Sequence, residues 1–304
     1  GIKMNDLTAC QADVPDSCRV IQNRFGTAPI MWFERDGHVL VSMPGVPFET
    51  EGMLPEVAAE VCRHFHSDAV LRHHCLMAGG ISESALAQRL EPWESALPGH
   101  MHLAYLPVPG LIRLRLDGRG SDAGTLDADM QRETSRLKEL LGDNLRYDGD
   151  ATAAEIALAA CRRRGFTMGC AESCTGGTIA QRITAVAGCS DVFLGGVVSY
   201  SNDAKTALLG VDPSAIATHG AVSREVVKQM AHGTRSQIGC DCAVATSGVA
   251  GPGGGTPEKP VGTVWIAAST PHATECRLLH LPGNRARVID RAATEALLLL
   301  AELL

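Results

Sequence analysis

Ser173 and Cys174 stand side by side in Ala171-Glu172-Ser173-Cys174-Thr175-Gly176-Gly177, where an apolar stretch gives way to a helix. A hydroxyl or thiol placed there is a candidate nucleophile. The two glycines let the backbone approach a ligand, and the first helical N–H groups offer an anion or oxyanion site. The plainer alternative is that Ser173 only caps the helix. A second group is Ser199-Tyr200-Ser201-Asn202-Asp203-Ala204-Lys205. Lys205 falls in a first helical turn, where a cation opposes the helix dipole. Desolvation there lowers a lysine's pKa, which suits it to deprotonate a serine. Asn202-Asp203 reads as a turn and cap without chemistry. The third group is the glycine-rich run 246–255, followed by Lys259-Pro260. It fits a backbone cradle for phosphate or a carbonyl oxygen, although the Gly-Lys-Ser/Thr ending of a Walker loop is absent. Gly283-Asn284-Arg285 opens the last helix and offers an arginine to a phosphate.

These residues need a scaffold that gathers strand ends. Residues 151–304 alternate strand and helix, with strands expected over 166–171, 192–200, 241–246 and 261–269. Helices are expected from a cap at Asp150 to Arg164, after Ser173, over 203–209, from Ser223 to 238, and from Asn284 onward. This alternation predicts a three-layer α/β/α domain with a mainly parallel sheet, its ligands beyond the strand ends. Leu297–Leu300 reads as the buried face of the last helix. Upstream, 37–43 reads as a strand and 48–66 as a helix. A small α+β module follows, with a helix at 82–90 and strands 100–106 and 111–116 joined at Pro107-Val108-Pro109-Gly110. A helix over 126–141 reads as a linker. The expected division is 1–68, 69–122, 123–149 and 150–304.

Composition narrows the class. The chain has 304 residues, formal net charge −7 and 45% hydrophobic residues. No apolar run approaches the ~18 residues of a membrane span, and the acidic balance argues against general nucleic-acid binding. Eleven cysteines without regular spacing fit the reduced thiols of a cytosol better than a disulfide framework. Cys62, His64, His66, His73, His74 and Cys75 lack zinc-ligand spacing, as does Cys240-x-Cys242, so no metal is expected. Residues 1–150 carry 14 Lys+Arg against 22 Asp+Glu, and 151–304 carry 13 against 12. An anionic ligand suits the second half better.

The segments AESCTGG (171–177), GGVVSYSNDAK (195–205), GAVS (220–223), SGVAGPGGG (247–255) and KPVGTV (259–264) resemble, in order, the C-terminal domain of the CinA family, the nicotinamide-nucleotide amidohydrolases. The resemblance implies hydrolysis of the carboxamide of nicotinamide mononucleotide to nicotinate mononucleotide and ammonia, in pyridine-nucleotide salvage. It implies Ser173 as nucleophile, Lys205 as its base and Tyr200 as a hydroxyl partner. Only the resemblance favours Ser173 over Cys174. Substrate-binding positions carried over are Glu172, Thr175, Gly176, Gly177, Ser247, Gly248, Gly251, Gly253, Gly254, Lys259 and Arg285. The family often has a second arginine four residues after Arg285; here Ile289 stands there, and Arg287 is the candidate substitute.

NRFGTAP (23–29) and PGVPFE (44–49) resemble the end of the family's molybdopterin-binding-like domain, and 70–120 is similar to its KH-like domain. On this resemblance the chain reads as a fragment beginning inside that first α/β domain. In the family the first domain is linked to metal-dependent ADP-ribose pyrophosphatase activity, to which Glu49 would belong. A divalent metal is expected only for that full-length domain, and no cofactor for the amidohydrolase. Without a Gly-x-x-Gly clamp in 70–120, RNA binding is not expected. The expected protein is a cytoplasmic enzyme, a homodimer whose partner is a small nucleotide, with neither nucleic acid nor membrane. The competing class is a non-catalytic, competence-related regulator.

Overall fold

Asp36-Gly37 joins two of the first strands through a two-residue turn in which both residues have positive φ, the geometry that matches strand twist. The computed structural model to which this turn belongs describes residue 10 and residues 13–65 and 69–304. His66, the end of the helix expected over 48–66, lies outside the described residues. The chain divides into two compact units, Gly1–Ala69 and Val70–Leu304. In the first, β1 (Cys18–Ile21), β2 (Ile30–Arg35) and β3 (His38–Ser42) form an antiparallel sheet in that order. Helix α1 (Pro47–His64) begins at a proline, whose fixed φ suits a first turn, and lays Met53 and Val57 on Ile21, Ile30 and Trp32. Asn23 Nδ2 donates to the Glu49 carboxylate at 2.7 Å, while its Oδ1 accepts from the Phe25 and Gly26 amides. The two resembling segments of this unit thus meet, with Glu49 holding the 23–29 loop.

The second unit opens with β4 (Val70–Gly79), α2 (Glu83–Glu94), β5 (Met101–Val108), β6 (Leu111–Gly120), α3 (Ala123–Leu141) and β7 (Leu145–Asp148). The strands form an antiparallel sheet in the order β5-β6-β4-β7. Ser82 and Asp122 cap the two helices by accepting from the Ala85 and Thr125 amides. Leu86 and Leu90 of α2 pack with Leu126, Met130, Leu137 and Leu141 of α3 on one face of the sheet. The segment expected as a linker is therefore a layer of this module, and β7 extends its sheet. The helical spacing of 126, 130, 137 and 141 is an apolar stripe that needs a surface to cover. Pairing runs to Val108↔Leu111, so Pro109-Gly110 alone forms the hairpin turn.

The remaining elements are α4 (Ala153–Arg164), β8 (Met168–Glu172), α5 (Thr178–Thr184), β9 (Phe193–Val198), α6 (Asn202–Leu209), α7 (Pro213–His219), α8 (Arg224–Ile238), β10 (Cys242–Gly248), β11 (Thr263–Ser269), β12 (Thr274–His280) and α9 (Arg285–Leu303). Thr152, not Asp150, caps α4, because Glu155 completes a reciprocal capping box with it. The sheet order is β12-β11-β10-β8-β9. β8 runs parallel to β9 and β10, but β10-β11-β12 are antiparallel. The expected mainly parallel sheet is thus mixed. No helix intervenes between β10 and β11 or between β11 and β12, and a parallel return needs a long crossover.

Alternation along the strands builds two cores. Cys170, Val244 and Ile266 face α4, α5 and α9, while Ala171, Ala245 and Ala267 face α8. Leu297–Leu300 are all buried, since α9 is covered by the sheet on one side and α4 on another. A Cβ on Gly233 of α8 would lie 1.9 Å from the Leu209 carbonyl oxygen, so glycine permits the contact with α6. The chain leaves β8 for β9 on one side and returns to β10 on the other, opening a crevice at the carboxyl end of β8. Among the described residues no helix is long and apolar enough to cross a membrane.

Candidate active site

Ser173 follows the last residue of β8, and its amide donates to the Thr246 carbonyl at 3.1 Å, which extends the strand pairing by one residue. The chain then turns through Gly176 and Gly177, both at positive φ, before α5 starts at Thr178. Gly177, not Ser173, is the N-cap. Ser173 therefore has no capping duty, which removes the plain alternative for its presence.

The expected anion site at the first helical amides is already filled from within. Glu172 is fully buried, and its carboxylate accepts from Gly177 and Ile179 at 3.0 Å and from Ala180 at 2.9 Å. Carboxylates are favoured at such amide clusters. Thr175 is buried as well, its hydroxyl 2.8 Å from that of Thr246. Glu172, Thr175, Gly176 and Gly177 shape the turn and do not line the cavity beside Ser173.

Lys205 comes from α6, capped by Ser201. It is 1% exposed. Its Nζ lies 3.1 Å from Ser173 Oγ and donates to the carbonyls of Ser199 at 2.9 Å and Tyr200 at 3.4 Å. Burial lowers its pKa from the ordinary lysine value. Cys174, 6% exposed, is moved the other way: burial pushes its thiol up to about 11, so it stays protonated near neutrality. That disfavours it as the nucleophile.

Ser173, Cys174 and Lys205 open onto a cavity of about 210 Å³ whose other walls include Tyr200, Asn202, Ser247, Gly248 and Arg285. Among the described residues no carboxylate lines it. Ser247 is buried and donates to the Ala221 carbonyl at 2.7 Å. Arg285 donates to the Gly251 carbonyl at 2.9 Å and to the Tyr200 hydroxyl at 3.1 Å. The Tyr200 hydroxyl thus partners Arg285 rather than the Ser173–Lys205 pair, to which Tyr200 contributes its backbone carbonyl. Gly253 and Gly254 are exposed outside the cavity, and Lys259 is occupied with the His219 carbonyl at 2.9 Å. Arg287 faces a separate groove beside Pro107, Pro109 and Arg291.

Sequence reasoning passed over Asn202 as a cap, yet it lines the cavity. Its spacing from Lys205, one helical turn, was the available signal. Ser199 was also missed; it supplies the shortest bond to the Lys205 amine, and its buried hydroxyl has no partner among the described residues. A larger cavity of about 470 Å³ lies between the α+β module's hairpin and helices α4, α5 and α9. It is mainly apolar and holds none of the expected site residues. Among the described residues no group of three or more His, Cys, Asp or Glu side chains is placed to hold a metal ion.

Residues 150–304 match the family model for the CinA C-terminal domain, and residues 73–145 match the damage-inducible protein CinA KH domain. A CinA-like protein of Cytophaga hutchinsonii is 42% identical over 88% of this chain and 64% of its own length. One from Gemmatimonas aurantiaca is 40% identical over 94% of this chain and 68% of its own. The chain thus spans about two thirds of these curated relatives. The crystal structure of competence/damage inducible protein CihA from Agrobacterium tumefaciens is 38% identical, covering 50% of this chain and 93% of that one, with a TM-score of 0.49.

Proposed function

The chain belongs to the CinA family of competence/damage-inducible proteins, and from that premise we propose that residues 150–304 hydrolyse the carboxamide of nicotinamide mononucleotide. The observation that carries this reading is the contact between Ser173 Oγ and the buried Lys205 Nζ, in a cavity without a carboxylate. A neutral lysine amine has two N–H groups to give and one lone pair to offer. With the Ser199 and Tyr200 carbonyls taking the hydrogens, the lone pair is left for the serine hydroxyl.

As Ser173 Oγ attacks the carboxamide carbon, its proton passes to Lys205 Nζ. The ammonium then returns a proton to the departing nitrogen, ammonia leaves, and an ester remains on Ser173. Water gives a proton to Nζ and attacks the ester carbon; the acid leaves and the proton returns to Ser173 Oγ. The sum is amide plus water to carboxylic acid plus ammonia. Arg285, held by Tyr200 and Gly251 at the cavity wall, would meet the phosphate, for which guanidinium is well shaped.

The test is ammonia release from nicotinamide mononucleotide by this chain beside its Lys205→Ala variant. Release by the parent and its loss in the variant are expected. No release at micromolar enzyme would reject the reading and favour the non-catalytic regulator.

A further inference from the structure

We infer that Glu172 is a positioning residue from which both members of the nucleophile–base pair are hung. This rests on the reading of Ser173 and Lys205 given above. The Glu172 backbone carbonyl accepts from the Ser199 amide at 2.8 Å, and Ser199 is the residue whose own carbonyl holds Lys205 Nζ at 2.9 Å. Its carboxylate grips the amides of Gly177, Ile179 and Ala180, the far end of the turn that begins with Ser173. One residue therefore sets the position of the base through its main chain and of the nucleophile through its side chain. The residue is fully buried, so a substrate group does not compete for those amides.

The chemistry of the grip is specific to a carboxylate. Two amides meet Oε2 and one meets Oε1, so both oxygens act as acceptors. A glutamine must turn its NH2 toward at least one of these N–H groups, donor against donor. An aspartate keeps the charge but is shorter by one methylene. Displacement of a nucleophile by about 1 Å costs on the order of 100-fold in rate.

The experiment compares the full chain with Glu172→Gln and Glu172→Asp. Circular dichroism establishes that each is folded, and two activities are then measured per folded molecule. These are ammonia release from nicotinamide mononucleotide and labelling of Ser173 by a fluorophosphonate. For Glu172→Gln the expected result is a fall of roughly 100-fold in kcat and in labelling rate, with KM changed less than about threefold. The pH at which activity rises should not move, because the burial of Lys205 is untouched. Glu172→Asp should restore part of the loss. Wild-type kcat and labelling in folded Glu172→Gln would overturn the inference.

If neither variant folds, hydrogen exchange of the parent decides. Slow exchange at Gly177, Ile179 and Ala180, unchanged by saturating nicotinamide mononucleotide, supports internal occupation. Fast exchange there, or protection that appears only with nucleotide, overturns it. Labelling without ammonia release in the parent would sink the substrate reading and still leave the role of Glu172 decided by the labelling rates.

Discussion

Ser173 and Lys205 are 32 residues apart in sequence and 3.1 Å apart at Oγ and Nζ. The pairing of adjacent parallel strands brings them together. Ser173 ends the central strand β8, and Lys205 sits one turn into the helix that follows its neighbour β9. The amine is thereby buried among neutral acceptors, without a carboxylate to keep it charged.

Ser173→Ala should lower deamidation by about 10³-fold or more, while Cys174→Ser keeps activity within a few-fold. Ammonia release measured on both variants checks this. The reverse pattern would move the nucleophile to the thiol.

Deamidation should rise with pH until Lys205 is neutral and then level off, because only the free amine accepts the serine proton. Burial lowers the lysine pKa, so the plateau should begin below the ordinary lysine value of 10.5. A kcat/KM profile on the parent shows it. Activity still rising above pH 10.5 would contradict this.

Lys205 also bears on stability. Its folded pKa lies below its unfolded value, so below that folded pKa the native state must protonate a buried amine that the unfolded chain protonates freely. Stability should rise with pH between the lowered value and 10.5. Lys205→Met removes the titrating amine, so it should flatten this rise of stability with pH while abolishing activity. Thermal melts of parent and variant at two pH values in that window test it, and an equal rise of Tm with pH in both would contradict the assignment to Lys205.

Arg285→Ala should raise KM for nicotinamide mononucleotide by about 10–100-fold with kcat less affected, the scale of one lost charge-assisted bond. Arg287→Ala should stay within about twofold, since Arg287 faces another groove. Equal effects from the two variants would refute this division.

Much of the C-terminal scaffold was legible because caps and glycine stops are local signals. Ser223 and Asn284 cap their helices, and Gly165 and Gly210 end theirs, as their positions suggest. Glu172 was misplaced for an instructive reason. Its neighbours suggest a ligand loop, but a carboxylate that folds back on backbone amides leaves no periodic trace. The Lys259 contact is equally invisible to spacing, since its carbonyl partner His219 lies 40 residues away. Strand β12 and the direction of β11 were missed because pairing direction depends on connection length and is invisible to alternation. Helix α3 was read as a linker because its polar face dominates the composition of 117–150, although its buried stripe is regular.

Gly233 lines none of the cavities described above, yet any side chain there must push against the end of the helix carrying Lys205. Clearance is as demanding as chemistry at this point. A saturation scan would score Gly233 beside Ser173 among the least replaceable positions, so intolerance to substitution would trace the mechanical outline of this site as well as its reacting atoms.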